Sequence, residues 1–349
     1  MNAPSLIYPF ATPPAPATLQ AIAPGLFWLR MPLPFALNHV NLWLFHDKQG
    51  WTAIDTGINS VMTKNLWQQM VATACKGEWP SRLLVTHYHP DHAGLAGWLA
   101  TKGKATLLMP RIEYFHARLL QMDVSEQLLK AWKNYYRFCG VPAPKAGEYF
   151  QRLRYHSLVA PLPATVEAIE TDSVINIGPY QFTVRCYAGH SVGMACLYDQ
   201  KNKILIAADQ LLPSISPNVS VFASEPTANP LKYYLEGLAD FFDVPDDVLI
   251  LPSHGLPFYR AALRAKQIEQ HHQERLQEIM DFVAKPKHIY QITQQLFKRP
   301  LDSQQMNFAL GEMLAHVNYL LAQGKLERLP TSETNKKLSS KLMVRSSLA

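Results

Sequence analysis

At 349 residues the chain is longer than one core comfortably fills, since single cores rarely grow past roughly 250 to 300 residues, so a large domain with a smaller companion is expected. A hydrophobic fraction of 48% with 17% charged residues excludes a wholly disordered chain. The formal charge is +6, but the segment after Thr331 sets Lys336, Lys337, Lys341 and Arg345 against Glu333, so half of that excess sits there and the body is only mildly basic.

The opening MNAPSLIYPFATPPAPATLQ lacks the basic start and unbroken apolar stretch of a signal peptide, and no run of about 18 apolar residues follows, so a cytoplasmic location and no membrane partner are expected. Residues 1–24, rich in Pro and Ala, read as an irregular arm. Gly25–Met31 and Val40–Phe45 carry the aromatic and branched residues of strands. Trp51–Ile54 is a short buried-type strand ending in Asp55-Thr56-Gly57, Ser60–Ala74 has helical spacing, and Arg82–Val85 is apolar again, giving a β–α–β order. A helix to about Thr101 and a strand Ala105–Met109 come next.

From Ile112 to about Leu153 helical periodicity dominates, with Tyr114, Phe115, Trp132, Tyr135, Tyr136, Phe138 and Tyr149. Aromatics at this spacing are ordinary core, although an insertion of about 110–155 also suits a substrate cover. Strand signals return in VINIG, YQFTVRCYAG, ACLYD, KILIAAD and Val248–Leu251. Tyr259–Leu329 is almost wholly helical, with Gly324 suited to a helix C-terminus, and the polar segment 331–349 favours disorder. The organisation expected is therefore a sheet-bearing domain over 25–260, a helical winged-helix-like domain over 261–330 and a polar tail. Cys75, Cys139, Cys186 and Cys196 form no CxxC pair, which argues for reduced thiols rather than a disulfide framework.

The chemistry concentrates in Thr86-His87-Tyr88-His89-Pro90-Asp91-His92-Ala93-Gly94, three imidazoles and a carboxylate within six residues directly after an apolar strand. His87 and His89 leave the strand two apart and can turn to one point. Asp91 and His92 follow at a proline-led helix start and can face a neighbouring point, which implies two adjacent metals. Further candidates end apolar runs: His190 after YAG, Asp209 after ILIAA and His254 after LILPS. Taken alone, His190 or His254 reads as a satisfied core histidine; the ligand count and order argue for a joint role. His39, His46, His116, His156, His271, His272, His288 and His316 have no such context, and His271 and His272 read as a solvated helix face.

The order HxHxDH, then a lone His, a lone Asp and a lone His, resembles the metallo-β-lactamase superfamily over about residues 25–260. The resemblance implies an α/β fold, a four-layer αββα sandwich of the metallo-β-lactamase type. It implies that His87, His89 and His190 take a first divalent metal and Asp91, His92 and His254 a second, that Asp209 bridges them, and that Asp55 acts behind the ligands. Zinc is the default, and iron or manganese suit the same donors. A bridging hydroxide would attack a carbonyl, oriented by Asp91, without a protein nucleophile. Asp209 stands where the first subclass of zinc β-lactamases carries Cys, which disfavours lactam hydrolysis. His89 in place of the Glu typical of diiron flavoproteins disfavours redox chemistry. The seven-residue set is similar to that of glyoxalase II enzymes and lactonases, so a small thioester, ester or lactone is the expected substrate, with a homodimer compatible. The alternative is a metal-dependent endoribonuclease or nucleic-acid-binding protein, against which the region 259–329 offers no dense basic stripe.

Overall fold

Side-chain alternation along short strands organises the sheet-bearing part of the protein. The computed structural model describes residues 5–123, 125–150, 155–329 and 342–347. Parts of the expected arm (1–4), insertion (124 and 151–154), C-terminal domain (330) and tail (331–341, 348 and 349) lie outside them. The chain divides into two compact units, one comprising Met1–Met122, Tyr155–Pro217 and Leu238–Ala265, the other Asp123–Arg154, Asn218–Gly237 and Lys266–Ala349. Among the described residues no helix is long and apolar enough to cross a membrane.

The first unit contains a seven-stranded sheet with strands in chain order: β1 (Gln20–Ala23), β2 (Leu26–Pro32), β3 (His39–Asp47), β4 (Gly50–Ile54), β5 (Arg82–Leu84), β6 (Thr106–Pro110) and β7 (Glu167–Ile169). The first four pair antiparallel, and β4 to β7 run parallel. A five-stranded sheet is built from β8 (Val174–Ile177), β9 (Tyr180–Tyr187), β10 (Met194–Asp199), β11 (Ile204–Ala208) and β12 (Leu249–Pro252), in the order β12-β11-β10-β9-β8. Only β11 and β12 are parallel there.

Successive side chains point to opposite faces of a strand. Leu26 and Trp28, Trp43 and Phe45, Ile54, Leu84 and Leu108 therefore turn inward and pack against Phe182, Val184, Leu197, Ile206 and Leu251 of the second sheet. The alternate set, including Leu29, Met31, Leu42, Leu44, Leu83 and Leu107, forms a second core with buried residues of the crossover helices. These helices are α1 (Val61–Thr73), α2 (Pro90–Ala93), α3 (Ala96–Gly103) and α4 (Arg111–Met122). On the outer face of the second sheet Phe241 lies against Tyr187, ring centroids 5.5 Å apart. The parallel crossovers leave the carboxyl ends of β4, β5, β11 and β12 on loops, where ligands bind in such sheets. Strand β1, inside the stretch read as an irregular arm, forms because Gln20 and Ala21 pair with Trp28 and Phe27 of β2.

The second unit is built on α5 (Glu126–Cys139), α6 (Ala143–Phe150), the greater part of α8 (Pro230–Ala239) and α9 (Ala261–Phe282), α10 (Ile289–Leu296) and α11 (Ser303–Ala322), with the one-turn α7 (Tyr155–Leu158) belonging to the first unit. Ser125 caps α5 by accepting from Leu128 N, and Asp302 and Gln305 form a capping box on α11. Of the expected aromatics Tyr114, Tyr135, Tyr136 and Phe138 are buried, and Phe115 is exposed. Gly324 adopts φ +69° after α11, as its position predicts. The three short strands β13 (Lys287–His288), β14 (Leu326–Arg328) and β15 (Met343–Ser346) pair in the order β13-β15-β14. Strand β15 lies in the segment read as disorder-prone; Val344 is fully buried there, and backbone pairing on both edges outweighs the polar composition around it.

His272, expected on a solvated helix face, is instead buried: its Nδ1 lies 3.1 Å from His316 Nε2, and its ring meets Tyr234 edge-on. Burial pushes His272 down to about 2, aided by His316, His271 and Arg275, and pushes His316 down to about 4. Burial pushes Glu312 of the same cluster up to about 7. Between the ordinary values of 6.5 and 4.5, unfolding therefore takes up two imidazole protons and releases one carboxyl proton. Net uptake on unfolding means that this cluster lowers stability as pH falls through that window. Melting curves between pH 7 and pH 5 are expected to show this decline and His316→Gln to flatten it; a flat wild-type profile would contradict a neutral buried pair.

Candidate metal centre

The loops at the strand ends bring the predicted residues to one place. Asp55 follows β4, the His87–His92 run follows β5, and His190, Asp209 and His254 follow β9, β11 and β12. Asp55 has φ +62° and Ala208 φ +45°. Asp tolerates this left-handed region through its short polar side chain, whereas Ala208 costs roughly 1 to 2 kcal/mol there, strain stored directly beside Asp209. Gly94 lets the motif close on the Asp55 loop, because a Cβ would lie 2.5 Å from Gly57 O and 2.2 Å from Pro90 O.

Three overlapping groups result, each with its ligand atoms within 4.8 Å of one another: His87, His89 and His190; His87, His92 and Asp209; and Asp91, His92 and His254. His87 Nε2 and His89 Nδ1 are 2.9 Å apart. Asp209 reaches both ends of the cluster, with Oδ2 3.2 Å from His190 Nε2 and 3.5 Å from His254 Nε2, and Oδ1 3.6 Å from His92 Nε2. Asp91 Oδ2 lies 3.4 Å from both His92 Nε2 and His254 Nε2. His87, His92, His190, Asp209 and His254 are buried, while His89 and Asp91 are half-buried and mark the accessible side.

Second-layer hydrogen bonds orient the rings, as they do around bound metals. Thr86 donates its backbone N–H to Asp55 Oδ1 at 2.8 Å, and its hydroxyl lies 3.0 and 2.9 Å from the two Asp55 oxygens. With its one proton directed at Asp55, that hydroxyl accepts from His87 Nδ1–H at 3.0 Å, leaving a lone pair on His87 Nε2. His92 Nδ1 lies 2.8 Å from Asp55 Oδ2, and His254 Nδ1 lies 2.7 Å from the His39 carbonyl, so both rings turn Nε2 into the cluster. Asn41, 1% exposed, ties β3 to the His254 loop through Nδ2–H bonds to Pro252 O and Gly255 O, while its Oδ1 accepts from Trp28 and Arg30.

Electrostatics fit a cation. Burial opposes ionisation of Asp91 and Asp209, yet His92 and His254 beside them hold both well below the usual carboxylate range. Burial likewise opposes protonation of His92 and His254, yet the surrounding carboxylates raise His92 well above its ordinary value and His254 to about 10. His87 and His89 are pushed down by burial and by neighbouring imidazoles. Among the described residues His92 Nε2 and Asp209 Oδ1 find no hydrogen-bond partner, and both atoms are buried. Such orphaned donors and acceptors are costly unless something else satisfies them, and an all-nitrogen, all-oxygen set suits a divalent metal.

All seven predicted ligands and Asp55 thus lie together. Sequence reading missed Thr86, His39, Asn41, Tyr155 and Glu113, which hold the loops. Glu113 accepts from Tyr88 N, Ser191 Oγ and Gly193 N, partners 25, 78 and 80 residues away, so no local spacing could mark it. Tyr88, between two of the ligands, packs against His116 and Tyr155.

Comparison with known proteins follows the same lines. The family profile "Metallo-beta-lactamase superfamily" matches residues 36–256, and "Metallo-beta-lactamase-like, C-terminal domain" matches residues 276–336. A β-lactamase domain protein from Burkholderia ambifaria is similar over 98% of both chains, at 37% identity and a TM-score of 0.90. A metallo-β-lactamase family protein from Thermus thermophilus, TTHA1429, is similar over 93% of this chain and all of that one, at 25% identity and a TM-score of 0.79. Acyl-coenzyme A thioesterase MBLAC2 of Homo sapiens is 26% identical over 199 residues, spanning 54% of this chain and 64% of that protein, less than two thirds of its length. "Probable metallo-hydrolase YqjP" of Bacillus subtilis is 24% identical over 309 residues, 84% of this chain and 92% of that one. The two facing sheets, the residues gathered at the ends of their strands and these matches give one answer: the chain belongs to the metallo-β-lactamase superfamily.

Proposed function

We propose that the protein holds two divalent cations and hydrolyses a small thioester or ester. The observation that carries this reading is the convergence of seven imidazole and carboxylate side chains, with the Nε2 atoms of His92 and His254 turned into the cluster by hydrogen bonds at Nδ1. His87, His89 and His190 would hold one cation and Asp91, His92 and His254 the other, with Asp209 within reach of residues of both groups. Divalent cations so placed bring the pKa of a bound water toward neutrality and polarise a carbonyl. Asp91, half-buried on the accessible side, would orient the attacking water by accepting a hydrogen bond from it. Asp55 keeps His92 in the tautomer that ligates through Nε2. Because His92 and His254 are protonated in the metal-free cluster, loading the site releases protons and weakens as pH falls.

The thioester preference is supported by the name of the human relative, an acyl-coenzyme A thioesterase. Zinc is the default ion, with iron and manganese served by the same donors. The helix–strand order α9, β13, α10, α11, β14, β15 supports a winged-helix-type reading of the C-terminal part.

Elemental analysis is expected to find about two metals per wild-type chain and fewer in Asp209→Ala. Asp55→Ala, which frees the His92 and Thr86 side chains it holds, is expected to lower metal affinity or turnover about 10- to 100-fold while the protein remains folded. Metal-loaded wild type should turn over acyl-thioesters faster than oxygen esters or lactones and leave β-lactams intact; a fully loaded protein inert toward every acyl substrate in the panel would sink the substrate assignment.

A further inference from the structure

We propose that Glu113 is a positioning residue that sets the geometry of the His87, His89 and His190 cluster by clamping together the two loops that carry it. This inference rests on the metal-centre reading above.

Glu113 stands on the first turn of α4, directly after β6, and its side chain is completely buried. No cation pairs with it among the described residues. Its two oxygens instead receive three donors: Oε2 accepts from Tyr88 N at 2.9 Å, and Oε1 accepts from Ser191 Oγ at 2.6 Å and Gly193 N at 2.5 Å. Tyr88 is the residue between His87 and His89, and Ser191 is the residue after His190. One carboxylate therefore spans the two segments that supply all three imidazoles of one group.

The chemistry of the three donors explains the residue type. Two backbone N–H groups and a hydroxyl converge on one point, so only a side chain that accepts at both heads satisfies them all. Glutamine has the same shape but would turn an N–H₂ group toward one of these donors. Two further contacts leave the loops little freedom. Tyr155 donates its hydroxyl to Tyr88 O at 2.6 Å, gripping the same turn from its other side. Gly193 sits so close to α4 that a Cβ would lie 2.5 Å from Ile112 Cγ2. Burying a carboxylate without a counter-ion is costly, and an apolar residue would fill this space at less expense if packing alone were needed.

The test compares wild type, Glu113→Gln and Ser191→Ala for zinc affinity by competition with a chromogenic chelator, and for the d–d absorption of the cobalt(II)-loaded protein. Circular dichroism and melting of the metal-free forms run alongside. The expected result is two metals in wild type, about 10- to 100-fold weaker binding of one metal in Glu113→Gln with an altered cobalt spectrum, and a smaller shift of the same kind in Ser191→Ala. A Glu113→Gln protein that binds zinc as tightly as wild type and gives the same cobalt spectrum overturns the inference, including when its metal-free melting temperature has dropped, since that is purely structural behaviour. If Glu113→Gln does not fold, the affinity and spectrum of Ser191→Ala decide in the same way. A wild-type protein that binds no metal would instead overturn the metal-centre reading itself.

Discussion

Five imidazoles and two carboxylates share one largely buried space, and the cost of placing so many ionisable groups out of water is the constraint from which the rest of the structure follows. Without a cation the cluster balances itself, with His92 and His254 protonated against Asp91 and Asp209. That balance is incomplete, because His92 Nε2 and Asp209 Oδ1 find no hydrogen-bond partner among the described residues. A site of this kind is held ready for divalent charge by a scaffold that cannot relax around it.

The rigidity comes from a layer of hydrogen bonds one step outside the cluster. Asp55 grips Thr86 and His92, the His39 carbonyl and Asn41 fix the His254 loop, and Glu113 with Tyr155 fixes the turn between His87 and His89. The anchors come from β3, the end of β4, α4 and α7, so the geometry of the cluster is set by how the sheets and helices pack rather than by any one loop. The two cores on either side of the seven-stranded sheet supply that packing. The left-handed backbone at Asp55 and Ala208 persists because the surrounding network over-determines it.

The second unit uses ordinary devices of helical packing: capped helix starts, buried aromatics and a small sheet closed by β15. Its buried histidine pair gives it a pH dependence of its own, opposed in part by Glu312. Its groups all belong to the second unit, whereas the residues of the metal cluster all belong to the first.

The candidate ligands that gather in the cluster, and the strands leading to them, were legible in the sequence, because His and Asp are metal-binding residue types and here His87, His190, Asp209 and His254 follow apolar runs while His89, Asp91 and His92 crowd the motif after the first of them. Asp55 was legible for the same reason, standing at the end of Trp51–Ile54. Local composition misjudged β1, β15 and His272, whose states depend on partners distant in the chain: Trp28 and Phe27 for β1, two flanking strands for β15, His316 and Tyr234 for His272. Glu113, Asn41 and the His39 carbonyl were invisible for a related reason, since a hydrogen bond across 25 to 215 residues leaves no periodicity to read. The sequence by itself determined which atoms could hold a metal. Only the tertiary structure decided which nitrogen of each ring faces inward and what holds it there, because that choice is made by the second partner of each imidazole, brought close by packing alone.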